Sequence, residues 1–264
     1  MRYPYTLYSG AGNTFALLDA RTNLFPHEEI PSLCKKCKID GVLLLEKGEK
    51  TPYQMSTFNK DGSRADMCGN GLRTMVAFLE ELGEKEAKYA IETPAGIYHG
   101  WKRGEEICIQ LPSPKVCKWD LTISLAETPL TIHLLHTGVP HAVCFVDKIE
   151  EIDVEKRGKE LRFHPKFGPS GTNVTFVSKN PARIRTYERG VEGETQACGT
   201  GAVAAALALA KCHDTFSPIS IEVASGDILK VSFTPDWSRI TLQGPVEKIG
   251  GGQYSTVALK GAIS

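Results

Sequence analysis

The sequence predicts an α+β fold of two pseudo-symmetric domains, each a curved, mainly antiparallel sheet around a central helix, with the active site in the cleft between them. The first observation is a repeated motif, since Cys-Gly-Asn-Gly at 68–71 returns as Cys-Gly-Thr-Gly at 198–201, and each copy opens a helix-like run. The second is that the flanking blocks recur at nearly the same spacing, which indicates two copies of one strand-rich unit. The paired blocks are 9–19 with 137–147, 55–62 with 184–190, 91–96 with 221–226, and 107–112 with 240–245.

The first unit reads as short strands separated by glycine and proline turns, with two helices. The first helix follows Pro26, and the second ends before Gly83, a typical stop residue. The predicted strands are 5–8, 15–19, 42–46, 53–59, 89–93, 97–102 and 106–111, and the predicted helices are 27–37 and 72–82.

The second unit repeats this order, and its helix at 202–210 is alanine-rich without a polar face. A helix that is apolar all round must be buried on every side. The proline-flanked stretch 113–120 marks the boundary. We therefore expect an N-terminal domain at 1–116, with 250–264 returning to it, and a C-terminal domain at 117–249.

Composition and charge exclude several function classes. The 264 residues are 41% hydrophobic and 23% charged, with 31 basic and 31 acidic residues, so no electrostatic footprint for nucleic acid exists. The N-terminus does not read as a signal peptide, and no apolar run is long enough to span a membrane. The eight scattered cysteines are interpreted as reduced thiols in the cytoplasm, and the lone Cys34–Cys37 pair lacks the further ligands of a zinc site.

The two cysteine motifs predict acid–base chemistry. A cysteine at a helix N-terminus meets unpaired N–H groups and partial positive charge, which favour the thiolate, so we expect a lowered thiol pKa. The glycines let the same N–H groups approach a carboxylate. Two such thiols facing one substrate suit inversion at carbon, in which one removes a proton and the other returns a proton to the opposite face. No metal or cofactor is expected, because the chain has no lysine-centred pyridoxal pattern and no phosphate-binding loop.

Motifs along nearly the whole chain resemble the diaminopimelate epimerase family. They are GAGNTF around Asn13, FNKDGSRADMCGNGLR, the pair Pro140-His141, Gly171-Thr172-Asn173, and YERG…GETQACGTGA. The resemblance implies a cofactor-independent enzyme that interconverts LL- and meso-diaminopimelate in lysine and peptidoglycan precursor synthesis. It also implies a small amino acid as the binding partner, and it leaves a homodimer open.

The resemblance also implies roles for individual residues. Cys68 and Cys198 match the base and acid pair, and His141 and Glu188 match residues that support the catalytic centre. The residues that match substrate-binding positions are Asn13, Asn59, Gly69, Asn70, Asn173, Glu188, Arg189, Gly199 and Thr200.

Two departures from the family pattern fall near the expected distal end of the substrate. Val139 stands where the family has asparagine before Pro-His, and one extra residue, assigned to Glu192, follows Gly190. We expect both to affect distal specificity, with glutamate tolerated as a smaller acidic substrate.

Three alternatives remain open on the sequence alone. The first is another two-thiol racemase, acting on proline, hydroxyproline or glutamate. The second is a binding or isomerase relative on the same fold without two-base chemistry. The presence of both cysteines argues against it. The third is a redox protein that cycles Cys68 and Cys198 as a disulfide.

Overall fold

The computed structural model describes residues 1–115, 117–125 and 128–256. This part of the chain holds four α-helices, three short 3-10 helices and eighteen strands. The α-helices are α1 (Ile30–Cys37), α2 (Gly69–Glu81), α3 (Val154–Arg162) and α4 (Gly199–His213), and the 3-10 helices are His27–Glu29, Ile149–Glu151 and Pro165–Phe167. The strands of the first half are β1 (Arg2–Gly10), β2 (Asn13–Asp19), β3 (Gly41–Lys47), β4 (Tyr53–Asn59), β5 (Arg64–Ala65), β6 (Tyr89–Thr93), β7 (Gly96–Arg103) and β8 (Glu106–Leu111). The later strands are β9 (Cys117–Leu125), β10 (Thr128–His136), β11 (Pro140–Phe145), β12 (Asn173–Lys179), β13 (Ala182–Glu188), β14 (Gly193–Thr195), β15 (Ile219–Glu222), β16 (Ile228–Phe233), β17 (Ile240–Gly244) and β18 (Glu247–Ser255).

Both halves of the chain follow the same path. In the first, β1 and β2 form a hairpin, α1 crosses over to the parallel strand β3, and β4 returns antiparallel. Helix α2 then crosses to β6, which is parallel to β4 and begins the β6–β7–β8 meander. The second half repeats these steps with β10, β11, α3, β12, β13, α4 and the β15–β16–β17 meander. The predicted α+β fold of two mainly antiparallel repeats is confirmed.

The repeated helices α2 and α4 lie in the centre of the molecule. Every residue of α4 from Gly199 to Leu209 is buried, which confirms the burial expected of its apolar sequence. Both helices belong to one apolar core that draws side chains from the two halves. Smaller clusters lie on the outer faces, around α1 in the first half and around α3 in the second.

An antiparallel strand pair joins the meanders of the two halves. Strand β8 pairs with β17, and the register centres on Ile109 opposite Leu242, which are equivalent positions of the two repeats. The pairs on either side, Leu111 with Ile240 and Ile107 with Gly244, are related by the same symmetry. A local twofold axis therefore passes through this ladder and relates the N-termini of α2 and α4.

The outer strands exchange places around this axis. Strand β9 follows the first half but pairs with β10, and β18 follows the second half but pairs with β1 over Arg2–Ser9. From the sequence, the stretch 250–264 is expected to return to the first domain, and its residues 250–255 belong to β18 at Glu247–Ser255. Residues 116 and 257–264 lie outside the described residues, so the domain boundary at 116/117 and the path of the last residues stay predictions.

Three elements lie in stretches for which the sequence had indicated no helix or strand. They are helix α3 and strands β9 and β10.

Within the residues covered by the structure, no helix has the length and apolar character needed to cross a bilayer.

Candidate active site

Each repeated cysteine occupies the N-cap of a central helix. Cys68 precedes α2 with an extended backbone, and its Sγ accepts a hydrogen bond from the Gly71 N–H at 3.3 Å. Cys198 precedes α4 in the same conformation. The two helix starts meet so closely that a Cβ placed on Gly69 would lie 4.0 Å from the Cα of Gly199. The positive, N-terminal ends of the α2 and α4 helix dipoles therefore point at the same part of the molecule.

A cleft of about 810 Å³ opens at this meeting point and is lined by both halves. Eleven of the twelve residues singled out from the sequence line it. They are Asn13, Asn59, Cys68, Gly69, Asn70, Asn173, Glu188, Arg189, Cys198, Gly199 and Thr200. The fold therefore brings together residues that are up to 187 positions apart in the chain.

The side chain of Asn70 connects the halves at the floor of the cleft. Its Nδ2 donates to Oδ1 of Asn13 at 2.6 Å and to the carbonyl of Ala197 at 3.0 Å. Ala197 immediately precedes Cys198, so this amide holds the start of α4 against the start of α2. Asn70 is buried, and its bonds fix the separation of the two helix starts rather than leaving the amide free.

His141 lies behind the cleft and not on its wall. The ring is fully buried, with Nδ1 3.0 Å from Oγ1 of Thr175 and Nε2 2.9 Å from Oγ1 of Thr200. The Thr200 hydroxyl is in turn 3.5 Å from Sγ of Cys198. Burial lowers the pKa of His141 to about 3, so the ring is neutral and reaches the cysteine only through Thr200.

The thiol pKa values run opposite to the expectation from helix N-termini. Burial raises the pKa of Cys68, although the Gly71 N–H and the charge of Arg73 act in the lowering direction. Burial and the carboxylate of Glu188 raise the pKa of Cys198 well above its ordinary value. Burial also raises the pKa of Glu188 itself. The predicted lowering was wrong because loss of water outweighs the helix dipole for a thiol enclosed in protein.

The residues expected at the distal end are partly engaged by the protein itself. Asn173 accepts from the backbone N–H of Arg189 at 2.7 Å and donates to the carbonyl of Pro140 at 3.1 Å. Asn59 donates to Oγ of Ser63 at 2.9 Å. Among the residues that the structure describes, the guanidinium of Arg189 has no hydrogen-bond or ion-pair partner while lining the cleft, so it is available to an anion.

Val139 also lines the cleft, in the turn between β10 and β11. Its apolar side chain offers no hydrogen bond there. Glu192 does not line the cleft; its carboxylate turns back to Arg162 at 2.9 Å.

Sequence reasoning missed several polar residues of the site. Arg64, His136 and Lys166 line the cleft, and Arg73 lies fully buried below it. A signal for Arg73 was present, since it is the sole charged residue in the apolar stretch Leu72–Leu79. The other three carry no local pattern that distinguishes them from surface residues.

Solved structures define the class of this fold. A Bacillus anthracis phenazine biosynthesis protein of the PhzF family matches with a TM-score of 0.76 and 16% identity, over 97% of this chain and 100% of that chain. A hydroxyproline epimerase from Agrobacterium vitis, solved with bound trans-4-OH-L-proline, matches with a TM-score of 0.69 and 17% identity, over 96% and 92% of the two chains. The protein thus has the two-repeat fold common to the PhzF and proline racemase groups.

Sequence comparison then gives the family. The family model described as diaminopimelate epimerase matches residues 5–107 and 133–249. The diaminopimelate epimerase of Chlamydia muridarum (strain MoPn / Nigg) is 38% identical over 255 residues, spanning 93% of this chain and 92% of that protein. The chain belongs to the diaminopimelate epimerase family, as its motifs indicated, and it is an isomerase of the epimerase type.

Proposed function

We propose that this protein interconverts LL- and meso-diaminopimelate without a cofactor, with Cys68 and Cys198 as the two acid–base groups. The observation that carries this proposal is the pair of cysteine N-caps on α2 and α4, whose helix starts meet at one cleft. In this role the enzyme supplies meso-diaminopimelate for lysine and peptidoglycan precursor synthesis.

The backbone at the two helix starts would hold the reacting carboxylate. N–H groups of Gly69, Asn70, Gly199 and Thr200 border the cleft at the positive ends of two helix dipoles. When the α-proton leaves, negative charge spreads onto the carboxylate, and fixed N–H donors in a site shielded from water stabilise that charge. This stabilisation is what an amino-acid α-proton, a very weak acid, requires.

The protons balance when one cysteine starts as a thiolate and the other as a thiol. A thiolate on one side takes the α-proton and becomes a thiol, while the thiol on the other side gives its proton to the opposite face and becomes the thiolate. For the resting enzyme we place the thiolate on Cys68, because burial and Glu188 raise the pKa of Cys198 well above its ordinary value, whereas at Cys68 the Gly71 N–H and Arg73 counteract part of the rise that burial causes. The opposite stereoisomer uses the pair in the reverse sense.

Arg189 is the proposed grip on the carboxylate of the distal head group, with Asn59 and Asn173 beside it. Val139 removes an amide from this end, and a missing hydrogen bond typically costs about 0.5–1.5 kcal/mol, up to roughly a ten-fold change in affinity. We propose that the enzyme also accepts glutamate weakly, because its side-chain carboxylate can still pair with Arg189.

Deuterium exchange at Cα tests this function directly. The purified protein is incubated in D2O with LL-diaminopimelate, meso-diaminopimelate, glutamate or proline, with the double variant Cys68→Ala/Cys198→Ala as the control. Rapid exchange of both diaminopimelate isomers is expected, with slow exchange of glutamate and none of proline. Absence of diaminopimelate exchange would refute the proposal.

The glutamate proposal has its own variant. In Val139→Asn the restored amide is expected to lower the ratio of glutamate to diaminopimelate exchange. An unchanged ratio would remove Val139 as the cause of any glutamate activity.

A second candidate function is racemisation of a proline-type amino acid, which is favoured by the fold shared with the Agrobacterium vitis epimerase. Exchange of proline or hydroxyproline in place of diaminopimelate would establish it.

Cellular location and assembly complete the proposal. We place the enzyme in the cytoplasm, since two-thiol chemistry needs both cysteines reduced and all the cysteines are free. A homodimer is proposed as the assembly, which light scattering of the purified protein tests.

A further inference from the structure

Two loops border the distal part of the cleft, one at 168–172 and the other at 189–193. The guanidinium of Arg162, at the end of α3, lies behind both. Its Nη1 donates to the carbonyl of Ser170 in the first loop at 2.9 Å. Its Nε and Nη2 donate to Oε1 of Glu192 in the second loop at 3.2 and 2.9 Å. One side chain therefore ties the two loops together.

Glu192 is folded back to make this contact. Its backbone is left-handed, with φ of 55°, and its N–H bonds to the carbonyl of Glu188 at 2.8 Å. The same Oε1 also accepts the N–H of Gly190 at 3.1 Å. The carboxylate thus braces the turn that carries Arg189, one residue before Gly190.

The slot that holds the guanidinium is narrow. The Arg162 side chain is only 9% exposed, against 39% for Glu192. The guanidinium packs 4.6 Å from the centre of the Phe163 ring. Gly171 has a positive φ, and a Cβ there would come within 2.0 Å of Nη1, so this position admits only glycine. A guanidinium held on all sides cannot move freely, and its planar fork binds both loops in a fixed geometry.

We propose that Arg162 and Glu192 form a latch that fixes the Arg189 loop against the 168–172 loop and thereby sets affinity for the distal head group of the substrate. The inference rests on the proposed function, in which Arg189 binds the distal carboxylate. Neither latch residue lines the cleft, whereas Ser170, Gly171, Arg189 and Gly190 do. Arg162 and Glu192 are therefore positioning residues that act through Arg189.

Glu192 has a defined part in the latch. Glu192 supplies the only carboxylate paired with Arg162 among the described residues. Without it, the nearly buried Arg162 guanidinium would keep only the Ser170 carbonyl as a partner, and a buried cation without a carboxylate is costly. The Glu192 carboxylate is thus matched to the buried arginine, and its effect is to brace the loop.

Steady-state kinetics with diaminopimelate provide the first test. Glu192→Ala is expected to raise KM about ten-fold with kcat nearly unchanged, because the hydrogen bonds from Arg162 and from the Gly190 N–H that brace the Arg189 loop are lost. Glu192→Gln is expected to raise KM less, since its amide oxygen still accepts. Glu151→Ala, which removes an exposed ion pair with Lys148 of 2.8 Å, is the matched control and is expected to behave as wild type.

Amide hydrogen exchange provides a second test that needs no substrate. The Glu192 variants and Arg162→Lys are expected to show faster exchange across 189–193, including the Gly190 amide. Unchanged KM and unchanged exchange in Glu192→Ala would overturn the latch, and so would an equal fall in kcat and kcat/KM. If wild type fails to exchange the Cα proton of diaminopimelate, the proposed function is lost, while amide exchange still decides whether the latch holds the loop.

Discussion

Arg73 donates a hydrogen bond from Nη2 to Oδ1 of Asn70 at 3.0 Å, and this bond orients the amide that joins the two halves. Because the oxygen of Asn70 is taken, its Nδ2 faces Asn13 and Ala197. In the described part of the chain, Nε and Nη1 of Arg73 have no hydrogen-bond partner, and burial lowers the guanidinium pKa to about 10. The equivalent residue after the second cysteine is Val203, so only one repeat carries this buried charge.

Arg73→Met is expected to lower epimerase activity without lowering the stability of the fold. Replacing a poorly paired buried charge by an apolar side chain is often neutral or stabilising, by about 1–4 kcal/mol. Epimerisation is expected to fall at least about ten-fold, since the Asn70 bridge loses its orienting bond. Urea unfolding and Cα exchange measure the two effects, with Val203→Met as the control in the second repeat. Full activity in Arg73→Met would contradict this role.

Cys68→Ala and Cys198→Ala are each expected to abolish epimerisation and to leave the fold intact. Inversion needs a proton acceptor on one face and a donor on the other, so either loss breaks the sequence of steps. Cys37→Ala, at the end of α1 and away from the cleft, is the matched control. Near-wild-type turnover in either site variant, with unfolding curves as in wild type, would show that the assignment of both bases is wrong.

Glu188→Gln is expected to make both site thiols more reactive. The Glu188 carboxylate raises the pKa of Cys68 and of Cys198, so a neutral amide lowers both and increases the thiolate fraction at any given pH. Iodoacetamide labelling of each cysteine against pH, read by mass spectrometry, should show both curves moving to lower pH. Glu194→Gln, whose carboxylate pairs with Arg185 at 2.7 Å, should leave them in place. Labelling curves that do not shift in Glu188→Gln would show that the Glu188 carboxylate does not raise the thiol pKa values.

His141→Gln is expected to make the protein less sensitive to acid. The folded pKa of about 3 lies below the ordinary value of 6.5, so the unfolded chain binds the proton more readily between these values. The neutral ring thus stabilises the fold above pH 6.5, and that contribution is lost as pH falls toward 3, by at most about 1.4 kcal/mol per pH unit. Urea unfolding at several pH values should give a flatter dependence for the variant, whose amide can still bond Thr200. Parallel curves would mean that His141 is not the acid-sensitive group.

The sequence predicted the repeat and the paired helix starts because both depend on local signals. Glycine after cysteine, apolar runs and turn residues act over a few positions. The structure begins both helices three residues before the predicted start, at Gly69 and Gly199, and ends them at Glu81 and His213 against predicted ends at 82 and 210. Strand β4 was predicted with its observed bounds for the same reason, since alternation is read within one strand.

Features that depend on distant partners were not predictable in this way. The thiol pKa direction depends on enclosure by residues from both halves, and the helix start alone suggested the opposite sign. His141 belongs to the Pro140-His141 motif, but Thr200 separates its ring from the cleft. Gly250–Gly252 disfavour a strand locally, yet β18 runs through them because β1 supplies the hydrogen-bond partners.

The exchange of outer strands also orders the events of synthesis. Strand β1 is synthesised long before β18, the strand that covers its outer edge. Until then the nascent first half exposes the unpaired edge of β1, and such an edge is a template for pairing with another chain. The second half has no such interval, because β9 precedes β10 and covers it at once. Protection of the growing chain from aggregation is therefore needed at β1 until β18 pairs with it, a pairing that the hydrogen bond from the Thr256 N–H to the Met1 carbonyl extends.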